Sequence, residues 1–169
     1  TILQAVDQHS IMSVTDRSGR ILQVNSKFVE ISGYAREELL GQDHRIINSG
    51  THPSSFFFFL WDTICAGKIW RGVICNRNKS GNLYWVDSAI VPLMDAGGQV
   101  MRFISIRIDI TDRKRAEVEI LHMATHDSLT GLANRTLLQE RVKQSVETGR
   151  RKHDQAAVLF IDLDQFKAV

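Results

Sequence analysis

The sequence is poor in cysteine, in net charge and in long apolar runs, and each shortage removes a class of protein. Cys65 and Cys75 are the two cysteines in 169 residues. They make no disulfide framework of the secreted kind and have no metal-ligand spacing, so both are expected as buried free thiols. The longest aromatic block, Phe56 to Phe59, is far too short to cross a bilayer and no signal peptide is visible, which points to a soluble, cytoplasmic chain without a membrane segment. A formal net charge of +2, with Lys and Arg clustered only at Arg113 to Arg115 and Arg150 to Lys152, leaves no nucleic-acid footprint. Composition is otherwise ordinary, 43% apolar and 24% charged, enough for one full domain core and something smaller. The chain opens on Thr1 and stops inside an apolar run at Val169, so it reads as a piece of a longer protein.

What is present is organised around Trp70 to Trp85. Two runs of β-branched, aromatic and small residues flank Asn78-Lys79-Ser80-Gly81, a turn cluster, and together they predict a β-hairpin. Alternation along its first strand places Trp70, Ile74 and Asn76 on one face and Arg71, Val73 and Arg77 on the other. An Asn beside an indole is either a satisfied core amide or a group that meets the edge of a flat ligand.

Around the hairpin, Ile2, Leu3, Ala5 and Val6 suggest a short amphipathic helix. Strands follow at Ser10 to Thr15 and Arg20 to Val24, joined by the turn Asp16 to Gly19, and Asn25 caps a helix that ends at Gly33. A short helix at Arg36 to Leu40 leads into a polar loop, Gly41 to Pro53, and then a helix from Ser54 to Ala66. Beyond the hairpin, the strand is expected to break at Pro92, turn at Asp95 to Gly98 and resume as Val100 to Ile110. Strands on either side of helices predict an α+β fold, one five-stranded antiparallel sheet with helices on one face. In the last strand Phe103, Ser105, Arg107 and Asp109 share a face, while Ile104, Ile106, Ile108 and Ile110 form the other, an apolar row that the N-terminal helix or a second subunit must cover. Arg107 could pair with Asp87 or Asp109 as a structural ion pair.

Thr15-Asp16 with Gly19 and Asn25, the hairpin, and the closing Asp109-Ile110-Thr111 resemble the PAS family of sensor domains, over roughly Ile2 to Thr111. Within that family, Gly41 to Asn48 is similar to the flavin loop of LOV photoreceptors, with His44 where the photoreactive Cys would stand. An imidazole in place of that nucleophile puts cysteinyl photochemistry out of reach. By the same resemblance Arg45 stands where an Arg meets the flavin phosphate, Asn48 replaces a flavin-contacting Gln, and Asn76 matches an Asn that reads the pyrimidine edge. Val86 replaces a second Asn, and Arg107 replaces the Gln near flavin N5. Leu60-Trp61, Gly67 to Trp70, Gly72, Asn76-Arg77 and Tyr84-Trp85 are more similar to the flavin-binding PAS domains of redox sensors, the aerotaxis receptor and the nitrogen-fixation regulator NifL. That resemblance implies noncovalent FAD, with His44, Arg45, Asn48, Trp70, Asn76 and Arg107 as cofactor-binding residues and a redox or oxygen signal. FMN is an alternative; so are an empty pocket in a cofactor-free dimerisation module, and haem, for which His52 is placed like an axial ligand.

After Thr111, Ala116, Ile120 and Met123 recur at spacings of four and three, the pattern of a short coiled-coil seam in a helical connector, residues 112–126. His126-Asp127-Ser128-Leu129-Thr130-Gly131-Leu132-Ala133-Asn134-Arg135 resembles the start of the GGDEF domain of diguanylate cyclases, which would run from 127 to 169. A helix through Leu138, Val142 and Val146 and a buried strand from Ala157 to Ile161 should follow. In that family the residues matching Asp162 and Leu163 hold a divalent metal, Mg²⁺, against GTP. The family's name-giving loop lies beyond Val169, so this stretch alone is not expected to turn over GTP. The parent is expected to be a bacterial, homodimeric cyclic di-GMP signalling protein: a diguanylate cyclase, a degenerate GTP-binding module, or a cyclase domain followed by an EAL phosphodiesterase.

Overall fold

In the computed structural model, residues 10–152, 157–159 and 161 are described. The expected N-terminal helix around Ile2 to Val6 and the metal-binding candidates Asp162 and Leu163 lie outside them. The chain divides into two compact units, Thr1–Arg115 and Ala116–Val169.

The first unit is built on strands β1 (Ile11–Asp16), β2 (Ile21–Val24), β3 (Trp70–Arg77), β4 (Leu83–Met94) and β5 (Val100–Asp109). They form one antiparallel sheet in the order β2-β1-β5-β4-β3. Between β2 and β3 come α1 (Ser26–Ser32), α2 (Arg36–Leu39), a 3₁₀ turn (His44–Ile47) and α3 (Ser54–Cys65). The polar loop predicted between Gly41 and Pro53 therefore contains a 3₁₀ turn, because Ile47 has a buried site to fill.

Period-2 alternation decides which face of the sheet is the core. Ile11, Ile21, Val24, Ile74, Tyr84, Val86, Ile90 and Phe103 point inward and meet Phe28, Leu39, Ile47, Leu60 and Ile64 from the helical segments. Trp70 is buried at the start of β3, and its ring lies 2.7 Å from where a Cβ on Gly72 would stand, so only glycine lets the indole lie flat against its own strand. Pro92 does not break β4. It pairs with Phe103 of β5, and because β3 pairs only as far as Ile90, Pro92 lies where β4 has become an edge strand, which tolerates a missing N–H. Cys75 is buried but Cys65 is exposed, contrary to expectation, since the buried stripe of α3 runs through Leu60 and Ile64 and Cys65 falls one position round the helix.

In the second unit α5 (Arg135–Lys152) follows a turn made by the decapeptide, and α4 (Thr111–Thr125) begins in the first unit and ends in the second. Asp127 accepts hydrogen bonds from the backbone of Leu129 and Thr130 and from the Thr130 hydroxyl, which hold its carboxyl below the ordinary range. Asn134 caps α5 through Leu137 N–H and donates to the Ala124 carbonyl at 2.8 Å. The signature thus works first as a turn that ties two helices. No strand forms over Ala157, Val158, Leu159 and Ile161, where one was expected: Leu159 and Ile161 are each 82% exposed, and a strand without neighbours has nothing to hydrogen-bond.

Asn25 joins helix to sheet. Its Oδ1 accepts from Phe28 N–H at 3.0 Å and from Met12 N–H at 2.9 Å, and its Nδ2 donates to the Ser10 carbonyl at 2.7 Å. Asn25→Ala removes an N-cap and a strand tie together, and is expected to lower stability by about 1–2 kcal/mol in urea unfolding, with Asn25→Asp losing less because it keeps the acceptor.

Candidate functional site

The inward faces of the strands are not uniformly apolar. Ser13, Thr15, Asn76, Ser88, Ser105 and Arg107 all point toward the helices and are all buried. Inward hydroxyls, an amide and a guanidinium are expensive in a packed core, and here Thr15, Asn76, Ser105 and Arg107 border a cavity of about 680 Å³ between the sheet, the 3₁₀ turn and α3. Its walls include Phe57, Leu60, Trp61, Ile64, Ile74, Ile90 and Phe103; its polar groups include His44, Asn48, Asn76, Ser105 and Arg107.

Arg107 is 4% exposed on β5. Its Nη1 donates to Ser13 Oγ at 3.2 Å and its Nη2 to His44 Nε2 at 2.8 Å, and the guanidinium lies 5.6 Å from the centre of the Phe28 ring. No carboxylate among the described residues pairs with it. Asp109 is instead spent on the Thr111 N–H and hydroxyl, and Asp87 is exposed opposite Ile108 on the outer face, so the ion pair that the sequence allowed is not made. Burial pushes the guanidinium down to about 10, which still leaves it charged at neutral pH.

His44 is set by that charge. Burial first, and the Arg107 cation second, push its imidazole down to about 3. Arg107 can only donate, so Nε2 presents its lone pair and the neutral ring carries its proton on Nδ1. Phe28 meets the ring edge-on at 5.6 Å.

On β3, Asn76 is 5% exposed and its side-chain amide has no hydrogen-bond partner among the described residues. It forms an isolated bridge with Asn48, which brings the two predicted amides together at the cavity. Asn48 is exposed, and its Oδ1 already accepts from Gly50 N–H at 2.9 Å. The Ser88 hydroxyl, on the strand residue paired in register with Arg107 and Gly72, is also buried and has no partner among the described residues, but Ser88 does not line the cavity.

Other expectations are placed differently. Trp70 does not line the cavity; it packs edge-on against Phe56 at 5.6 Å, behind the wall, while Trp61 and Phe57 of α3 supply the aromatic lining. Arg45 lies at the rim, engaged bidentately with Asp43 through Nε at 3.0 Å and Nη2 at 2.8 Å. His52 is away from the lining, with its Nε2 taken by the Cys75 N–H at 2.9 Å, so the placement that suggested a haem ligand is not realised. Among the described residues no group of three His, Cys, Asp or Glu is placed to hold a metal. Ser13, which faces Ser105 across β1 and β5 and accepts from Arg107, was not expected from the sequence; inward small hydroxyls on paired strands are the signal of this polar inner face. The arrangement suits a flat ring with a polar edge: apolar and aromatic walls, a buried cation, a neutral imidazole and an unpaired amide.

Comparison with known proteins agrees on fold and family. The PAS domain family matches residues 8–112, and the family described as diguanylate cyclase, GGDEF domain, matches residues 124–169. The aerotaxis receptor of Escherichia coli is 36% identical over 124 residues, 73% of this chain and 24% of the receptor. A probable diguanylate cyclase of the same organism, DgcE, is 34% identical over 158 residues, 91% of this chain and 14% of that protein. The chain therefore spans a quarter or less of these relatives. The solved structure of an RNA-binding light-oxygen-voltage receptor superposes with a TM-score of 0.63 at 20% identity, covering 73% of this chain and 36% of that one, a likeness of fold. The cavity on a five-stranded sheet and the matched residues lead to one conclusion: the chain belongs to the PAS domain family and continues into the N-terminal segment of a GGDEF domain.

Proposed function

We propose that the PAS cavity binds FAD noncovalently and reports redox state or oxygen to a cyclic di-GMP output. The observation that carries this reading is a pair of buried residues at one cavity, the Asn76 amide with no hydrogen-bond partner and the Arg107 cation with no anion among the described residues. A volume of about 680 Å³ lies within the roughly 300–1,000 Å³ of cofactor sites. Phe57, Trp61 and Phe103 would enclose the ring, Asn76 would meet its imide edge, and Arg107 would meet electron-rich oxygen or nitrogen. When bound, the flavin would supply electron uptake and release. Similarity to the aerotaxis receptor supports an oxygen-linked signal.

Arg107 lies two residues before Asp109 on β5, and Asp109 Oδ1 holds the Thr111 N–H and hydroxyl where α4 begins. A change in Arg107's hydrogen-bond partners would therefore act on the strand that enters α4. The output would be a GGDEF domain using GTP and Mg²⁺ at Asp162 and Leu163, in a diguanylate cyclase alone or with a phosphodiesterase domain. Purified from flavin-replete cells, the chain should be yellow, bleach on dithionite reduction and release FAD on denaturation. Asn76→Ala should weaken flavin binding by about 1–2 kcal/mol, roughly 5- to 30-fold. A colourless, folded preparation contradicts the reading, and a Soret band selects haem.

The same reading includes a homodimer. Ile104 and Ile106 are partly exposed and Ile108 is 58% exposed on the sheet's outer face, and on α4 Val118, Ile120, Leu121 and Met123 are each more than 60% exposed. Covering the isoleucine row would contribute roughly 1.5–3 kcal/mol per fully buried side chain. Light scattering should give a dimer for the wild type and a monomer for Ile106→Glu. A dimer unchanged by that substitution assigns the face to some other cover.

A further inference from the structure

We propose that Arg17, on the turn between β1 and β2, binds the phosphate of a flavin nucleotide at the mouth of the cavity and so selects nucleotides over the unphosphorylated flavin. The proposal rests on the flavin reading of the inner cavity. Two arginines border the mouth, Arg17 from the β1–β2 turn and Arg45 from the 3₁₀ turn. Resemblance to photoreceptors gave the phosphate to Arg45, but the structure shows that guanidinium already committed to Asp43, one edge of its fork occupied and its charge neutralised. A phosphate approaching Arg45 also approaches the Asp43 carboxylate.

Arg17 has no such partner among the described residues. Its sequence neighbour Asp16 could have neutralised it, yet Asp16 Oδ1 is consumed by the turn, accepting from Ser18 N–H at 2.8 Å, Ser18 Oγ at 2.7 Å and Arg20 N–H at 2.9 Å. The nearby Arg20 turns away to the Gly41 carbonyl at 3.1 Å. Arg17 is therefore an exposed, uncompensated cation at a cavity whose inner groups already ask for a ring.

The turn that carries it is held in place. Gly19 has φ of +86°, a conformation that favours glycine, and a Cβ there would lie 2.9 Å from the Trp61 ring, so α3 packs directly on the turn. Gly19 also accepts from His44 N–H at 3.1 Å, which fixes the turn to the 3₁₀ segment. The backbone of Arg17 is thus positioned by the two elements that frame the opening, and the phosphate arm of a nucleotide leaving the cavity would pass it.

The test compares riboflavin, FMN and FAD binding to the ligand-free chain by quenching of flavin fluorescence, at low and moderate salt. Arg17→Gln is expected to weaken FMN and FAD about tenfold and leave riboflavin unchanged, and to remove most of the salt dependence of nucleotide binding. Arg17→Lys should restore part of the nucleotide preference. The double variant Asp43→Asn with Arg45→Gln, which removes the neutral pair without unmasking a carboxylate, should change the nucleotide-to-riboflavin ratio less than twofold. An unchanged ratio in Arg17→Gln, or an equal loss for all three flavins, overturns the Arg17 assignment while leaving flavin binding intact. Failure of the wild type to bind any of the three overturns both.

Discussion

A buried guanidinium that meets no carboxylate among the described residues is the constraint on which the inner face of the PAS domain depends. Arg107 stays charged, so its surroundings must supply acceptors without supplying a full negative charge: Ser13 gives an oxygen, His44 gives a lone pair, and Phe28 gives the face of a ring. Burial, and then the Arg107 cation beside it, hold His44 neutral, and its tautomer follows from the donor it faces. A core designed only for stability would place an aliphatic residue there, as breaking or stranding a buried charge is costly. Retaining one beside an open cavity makes sense where the missing partner is a ligand.

That arrangement is partly legible from the residues. Alternation along β5 correctly groups Phe103, Ser105 and Arg107 on one face, and the hairpin correctly turns Ile74 and Asn76 inward. The N-cap at Asn25, the helix end at Gly33 and the helix carrying Leu138, Val142 and Val146 are local features with local signals, and they appear where the pattern puts them. What is lost is information that crosses the chain. That Ser13 meets Arg107 requires the β1–β5 pairing, 94 residues apart, and that Trp70 lies behind the wall while Trp61 lines it depends on how α3 sits on the sheet. A two-residue ion pair, Arg45 with Asp43, was close enough in sequence to suspect, but its bidentate geometry comes from the 3₁₀ turn that the loop was not expected to contain.

The same distinction separates the two units. In the second, the decapeptide's Asp127 and Asn134 make a self-contained turn whose hydrogen bonds need only nearby residues. The apolar stretch that follows α5 needs sheet neighbours, and its described residues carry no strand. Between them, Thr111 links the end of the PAS sheet to α4: it donates to Asp109 and accepts from the Trp85 N–H at 2.9 Å, joining β4, β5 and the helix start in one small network. A sensor in which ligand chemistry acts at Arg107 has this network as its shortest exit, through Asp109 two residues on in the same strand and Thr111 at the start of α4.

What completes the cavity decides whether Asn76 and Arg107 serve a ligand. The most direct measurement is a crystal structure of the chain purified from flavin-replete cells without added ligand. The account predicts an isoalloxazine ring between α3 and the sheet, its polar edge within hydrogen-bond distance of the Asn76 amide and the Arg107 guanidinium, with His44 still accepting from Arg107. A cavity that holds no flavin, or a flavin whose polar edge faces away from both residues, would contradict it.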